Sequence, residues 1–197
     1  TDYMNDHLTG PYVIDYILES GQPGGISDPG FLADVGKFAA WYRAQPETRH
    51  VNAVTDIMRR LNKNLHGDDP AFYTLPEDRA LAAQYFLLYE MSLPYGLDLN
   101  NQINVDKSST RVTVSIGILS SNELLALEER ARDWLAANTP HIKRGEATGP
   151  TIMFAHIGKR NIMSMLSGTV IALILISLIL ILAFRSPRLG LISMIPN

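Results

Sequence analysis

The chain has 197 residues, a net charge of −3 and an apolar fraction of 46%. That balance argues against a nucleic-acid binder, which carries a concentrated basic face. Cysteine is absent, so neither a disulfide framework nor a thiolate metal site can form, which suits an oxidising compartment without requiring one.

Residues 1–10 are polar and acidic and do not read as a signal peptide. Residues 11–19 are rich in β-branched and aromatic side chains. Tyr12, Ile14, Tyr16 and Leu18 alternate with Asp15 and Glu19, the pattern of a strand. Residues 21–25 turn the chain, and Asp28-Pro29 has the form of a helix N-cap followed by proline at the first helical position. Leu32, Val35, Phe38, Ala39 and Tyr42 form the stripe of a helix that stops before Pro46. Residues 51–57 read as a second, shorter strand, continued by a helical turn over 58–65. After a loop over 67–76, Thr74 and Glu77 have capping-box spacing, and the next helix runs to Met91 with Leu81, Tyr85, Leu88 and Met91 along one side.

Residues 94–109 are polar and turn-rich. Over 111–118, Val112, Val114, Ile116 and Ile118 alternate with polar residues and glycine, the cleanest strand in the chain. Ser120 and Glu123 supply a capping box for a helix through Asn138, striped by Leu124, Leu127, Ala131, Trp134 and Leu135. Residues 142–147 make a weak last strand. Two strand–helix–strand units, with a helical insertion between them, predict an α/β (α+β) ferredoxin-like split βαβ sheet with helices on one face.

Residues 162–184 then hold 23 consecutive uncharged positions. As a helix they extend about 34 Å, enough for the roughly 30 Å hydrocarbon core of a bilayer with some tilt. A soluble core helix seldom needs so long a run that is apolar on every face. The chain is therefore expected to span a membrane. A helix begun at Pro150 and continuing to Phe184 would be about 50 Å long, leaving His156, Lys159 and Arg160 at or above the headgroups. Ser164, Gly168 and Ala172 share one side of the span, where small residues let a second helix approach, although such residues are common in membrane helices anyway. No Asp, Glu, Lys, Arg or His lies inside it, so a proton relay is not expected on this helix. Lys159 and Arg160 flank one end, Arg185 and Arg188 the other, and charge bias leaves the sidedness open. Both ends of the chain read as interior to a longer membrane protein with at least one further helix after residue 197.

The search for chemistry returns little. GQPGGISDPG lacks the endings of a phosphate-binding loop and places Asp28 where a phosphate would be repelled. Ser27 is not in a nucleophile-elbow spacing and reads as part of a cap. The histidines at 7, 50, 66, 141 and 156 form no metal motif, and His66 with Asp68 and Asp69 reads first as a solvated turn. Glu128, Glu129 and Arg130 read as an ordinary polar helix face. No catalytic, cofactor-binding or metal-binding residue is assigned, and neither an enzyme nor a cofactor is expected.

The run SGTVIALILISLILILAFRSPRLGLISMIPN resembles the second transmembrane helix, short cytoplasmic turn and third-helix start of RND-superfamily exporters, in particular their MMPL-type, hopanoid-exporter-like branch. Phe184-Arg185-Ser186, Leu189-Gly190 and Pro196-Asn197 carry most of it. Leu75-Pro76, Asp98-Leu99, Thr110-Arg111-Val112 and Thr148-Gly149 are similar to that branch's first extracytoplasmic loop. The resemblance implies that residues 1–160 are a periplasmic porter domain, 161–184 a transmembrane helix, and 185–197 a cytoplasmic turn and the start of the next helix. It implies a multi-pass inner-membrane protein driven by proton-motive force, with its proton-carrying carboxylates on a later helix. The implied partners are the membrane, a hydrophobic or amphiphilic lipid-like substrate, and other transmembrane helices of the same protein. A homo-oligomer is left open. Tyr85, Phe86, Leu88 and Met91 are candidates to face a lipid groove, against the commoner role of such a stripe as core. The alternative is a membrane-anchored extracytoplasmic sensory or partner-binding domain. A lipid-modifying enzyme ranks third for want of a nucleophile–base set.

Overall fold

A computed structural model describes residues 10–94, 99 and 101–184. Asp98, and the expected turn and next helix over 185–197, lie outside the described residues. The described chain runs β1 (Tyr12–Glu19), α1 (Pro29–Arg43), β2 (Thr48–Asn52), α2 (Val54–Leu65), α3 (Arg79–Ser92), β3 (Ser109–Ile116), α4 (Ser121–Asn138), β4 (Arg144–Thr148) and α5 (Pro150–Phe184). It divides into two units, Thr1–Met153 and Phe154–Asn197.

The first unit is a mixed α/β domain on a four-stranded antiparallel sheet in the order β2-β3-β1-β4. Its register follows from the alternation in β1 and β3. Ile14 faces Val114, Tyr16 faces Val112 and Leu18 faces Thr110, and all six side chains are buried on one side of the sheet. Asp15, Ile17, Arg111 and Thr113 take the opposite side and stay half-exposed. Tyr12, expected on the inner face, is 41% exposed at the first position of β1, although its partner Ile116 is buried. Tyr16 touches Phe38 and Tyr42 of α1, and Phe38 stacks on Trp134 of α4, so both helices cover the inner face. Each fully buried large side chain there contributes about 1.5–3 kcal/mol.

Local chemistry sets most boundaries. The Asp28 carboxylate accepts from the Phe31 N–H at 3.0 Å and Pro29 opens α1. Ser27, expected to take part in a cap, is buried in the short 3-10 turn before it, and the side chain that caps α1 is that of Asp28. At α4 the capping box is complete: Glu123 N–H donates to Ser120 Oγ and Ser120 N–H to Glu123 Oε2. The Ser120 hydroxyl, donating to Glu123 Oε2 at 2.7 Å, and then the Ser120 N–H, donating to the same oxygen, stabilise the ionised form and hold the Glu123 carboxyl below its ordinary range.

Three expected boundaries move. Residues 54–57 belong to α2 rather than to the second strand, because Val54 and Met58 repeat at helical spacing and both are buried. The expected Thr74–Glu77 box does not start α3. Asp78 caps it instead, accepting from the Ala80 and Leu81 N–H groups, while Thr74 accepts from Asn62 Nδ2. The strand expected to reach Ile118 ends at Ile116, and Ile118 is exposed. Leaving β4, the chain turns at Gly149, whose φ of 107° is strained for any residue with a side chain.

The described residues of the second unit, 154–184, belong to α5, which is unbroken from Pro150 to Phe184 as the sequence predicts.

Candidate functional site

Two surfaces stand out chemically, and the first is α5. Its stretch Pro150–Leu182 is the one helix among the described residues long and apolar enough to cross a membrane. Val170, Ile171, Ile174, Leu178, Ile179 and Leu182 are all exposed. The Ser167 hydroxyl donates to the Ser164 carbonyl at 3.0 Å and the Thr169 hydroxyl to the Met165 carbonyl at 2.9 Å. Satisfying a hydroxyl on the helix's own backbone is what a polar residue needs where water is absent. Ser164, Gly168 and Ala172 are exposed on one side of α5, and His156, Lys159 and Arg160 are exposed on its first three turns.

The second surface is the outer side of α3. The inner side is fixed by Ala82, Tyr85 and Phe86, all buried, with the Tyr85 hydroxyl donating to Asn62 Oδ1 at 2.8 Å. The outer side carries Ala80, Leu81, Ala83, Gln84, Leu87, Leu88 and Met91, all exposed, with Leu87 at 55% and Met91 at 77%. A surface helix normally turns charge to water. Here Gln84 is the one polar residue among them. The four residues weighed for a lipid groove are thus divided: Tyr85 and Phe86 are core, Leu88 and Met91 are surface. Ala80, Leu81 and Leu87 join the surface, which periodicity alone did not separate because this helix is apolar nearly all round.

The buried charge of the first unit is committed to holding it together. Asp34 is fully buried on α1, at the helical spacing of Phe31, Val35 and Phe38. It accepts from Lys37 Nζ at 2.8 Å and from the His141 N–H and ring Nδ1 at 3.0 and 2.9 Å. Burial alone would raise its pKa, but the Lys37 and His141 hydrogen bonds outweigh that and hold the carboxyl below its ordinary range. The His141 ring lies against Gly30, where a Cβ would fall 2.8 Å from it. Ser20 shares a hollow of about 160 Å³ with His141, yet its hydroxyl donates to the Ser108 carbonyl at 2.7 Å. The arrangement is a clamp between α1 and the turn after α4. Asp34 was missed in the sequence although an aspartate on an apolar stripe is a readable signal.

Tyr16 and Tyr42 share a 2.6 Å hydrogen bond, and burial pushes both phenols above their ordinary range. Beside Tyr16, a hollow of about 260 Å³ is ringed by Glu128, Arg132 and Glu146, a charged mouth ill suited to an acyl chain. His66 stacks on Phe72 with ring centres 3.9 Å apart and bonds the Asn62 carbonyl through Nδ1. Asp69 caps the following 3-10 turn, accepting from the Ala71 N–H. His50 is exposed on β2, and Arg130 pairs with Glu47 at 2.6 Å. His7 lies outside the described residues.

No family model, curated protein or solved structure matches this chain.

Proposed function

We propose that this chain is a porter domain and the following membrane helix of a proton-driven exporter of the RND superfamily, of the MMPL-type, hopanoid-exporter-like branch, moving hydrophobic or amphiphilic lipid-like molecules. The observation that carries the reading is the pairing of a folded α/β unit with an unbroken helix whose apolar run matches a bilayer and whose Ser167 and Thr169 hydroxyls bond back to their own backbone. A ferredoxin-like split βαβ sheet is supported by the order β2-β3-β1-β4, in which β3 lies between β2 and β1 and β1 between β3 and β4. On this reading residues 1–160 are periplasmic, residues 185–188 face the cytoplasm, and the protein is a multi-pass component of the inner membrane. With no ionisable residue from 162 to 184, proton uptake belongs to another helix.

Residues 1–197 contain no cysteine, so thiols placed at Thr1 and Arg188, in the full-length protein cleared of any cysteine elsewhere, report sidedness. A membrane-impermeant thiol reagent on intact cells should label the first and spare the second. Labelling of both sinks the reading. The gene should also encode about a dozen spans, with paired carboxylates in a later one, and a stop codon after one more helix defeats the assignment.

A further inference from the structure

We infer that the outer side of α3 is the contact between two copies of this protein, packed antiparallel across a two-fold axis beside Gln84. The inference is independent of the exporter reading. Six apolar side chains without a charge invite either lipid or protein, and Gln84 decides between them. A primary amide carries donors and an acceptor that an acyl chain cannot satisfy, so a lipid cover would strand both. Two Gln84 amides facing each other exchange hydrogen bonds, the role a single polar residue has in fixing the register of paired helices.

The rest of the face is self-complementary about the same point. Leu81 lies three residues before Gln84 and Leu88 four after, so antiparallel copies bring Leu81 of one against Leu88 of the other. Arg79 and Glu90 lie five before and six after. Eleven residues make about three turns, which puts this pair on one edge of the helix and sets Arg79 beside the other copy's Glu90. Within its own chain, Glu90 holds Lys107 through Oε2 at 2.9 Å, and Arg79 makes a long 3.5 Å contact to the Gly24 carbonyl. Ala80 and Ala83 allow close approach, and antiparallel helices oppose their dipoles favourably.

Single-cysteine variants of the whole chain in native membranes test this. Gln84→Cys should form a disulfide-linked dimer on mild oxidation, while Glu129→Cys on the exposed side of α4 should not. Mixed Leu81→Cys and Leu88→Cys copies should cross-link to each other more than to themselves. Leu88→Asp should leave the unfolding transition in place and abolish the dimer in sedimentation, and Arg79→Glu should weaken it on the order of tenfold. Absence of the Gln84→Cys cross-link in folded protein overturns the inference. So does preferential Leu81–Leu81 linkage, which means parallel copies, or labelling of Leu88 by a lipid-soluble reagent without cross-linking, which means the bilayer covers α3.

Discussion

From residue 162 to 184, α5 carries no charge, and its Ser167 and Thr169 hydroxyls bond to carbonyls one turn back. Helix α3 is apolar on its outer side as well, but it has a buried inner side and an amide in the middle of the outer one. The difference is instructive. Hydroxyls bonded to their own helix suit hydrocarbon, whereas an amide in the middle of an apolar face needs polar groups, from water or from a partner, that hydrocarbon does not supply. Exposure of leucine alone does not distinguish the two.

The sharpest way to separate the sides of α3 is to remove Phe86, which is 1% exposed. Phe86→Ala should cost the first unit about 3–5 kcal/mol through lost burial and a residual cavity, read as a lowered denaturation midpoint. A cost near zero would mean that the inner side is not core. Next in size is a charge in the middle of α5. Ile174→Lys should oppose insertion by about 2.5–3.5 kcal/mol, seen as a larger fraction of chains extracted from membranes by carbonate. Unchanged extraction would mean that α5 does not lie in lipid.

Helix α5 is legible in the sequence because a run without charge is unambiguous at that length. The sheet was nearly so, since β1 and β3 alternate cleanly, and the α4 box at Ser120 and Glu123 is a local signal that tertiary contacts had no cause to override. The outer side of α3 was not. Residues 80–91 are apolar at almost every angle, so spacing offered several equivalent stripes, and only the contacts of Tyr85 and Phe86 select one. Residues 51–57 failed differently. Val51, Ala53 and Val54 satisfy a short strand and a helix start equally well, and the buried Met58 decides for the helix.

Acid also distinguishes the two units. Asp34 is held below the ordinary aspartate value of about 3.9 in the folded state. Its contribution is therefore present above that value and is lost as pH falls through the folded one. Asp34→Asn should cost about 1.5–3 kcal/mol at neutral pH, because hydrogen bonds to a charged group are lost. The gap from the parent protein should close as pH falls below about 4. The apolar run of α5 has no group that titrates, so its helical signal should persist while the first unit unfolds. A gap that stays constant down to pH 2 would mean that Asp34 is not ionised in the fold.

The smallest expected change in stability comes from Gln84→Leu, which makes the outer side of α3 resemble α5. Gln84 is exposed and the two residues have similar helix propensity, so the unfolding free energy should stay within about 0.5 kcal/mol. What should change is order. Without the amide, nothing penalises a shifted register or a lipid cover, and a polar residue in an apolar seam is what selects one pairing at some expense in affinity. Native mass spectrometry of the detergent-solubilised variant should show a mixture of oligomers with more bound detergent, where the parent chain should give one dimer. A single unshifted dimer in both would place the selectivity of this surface outside Gln84.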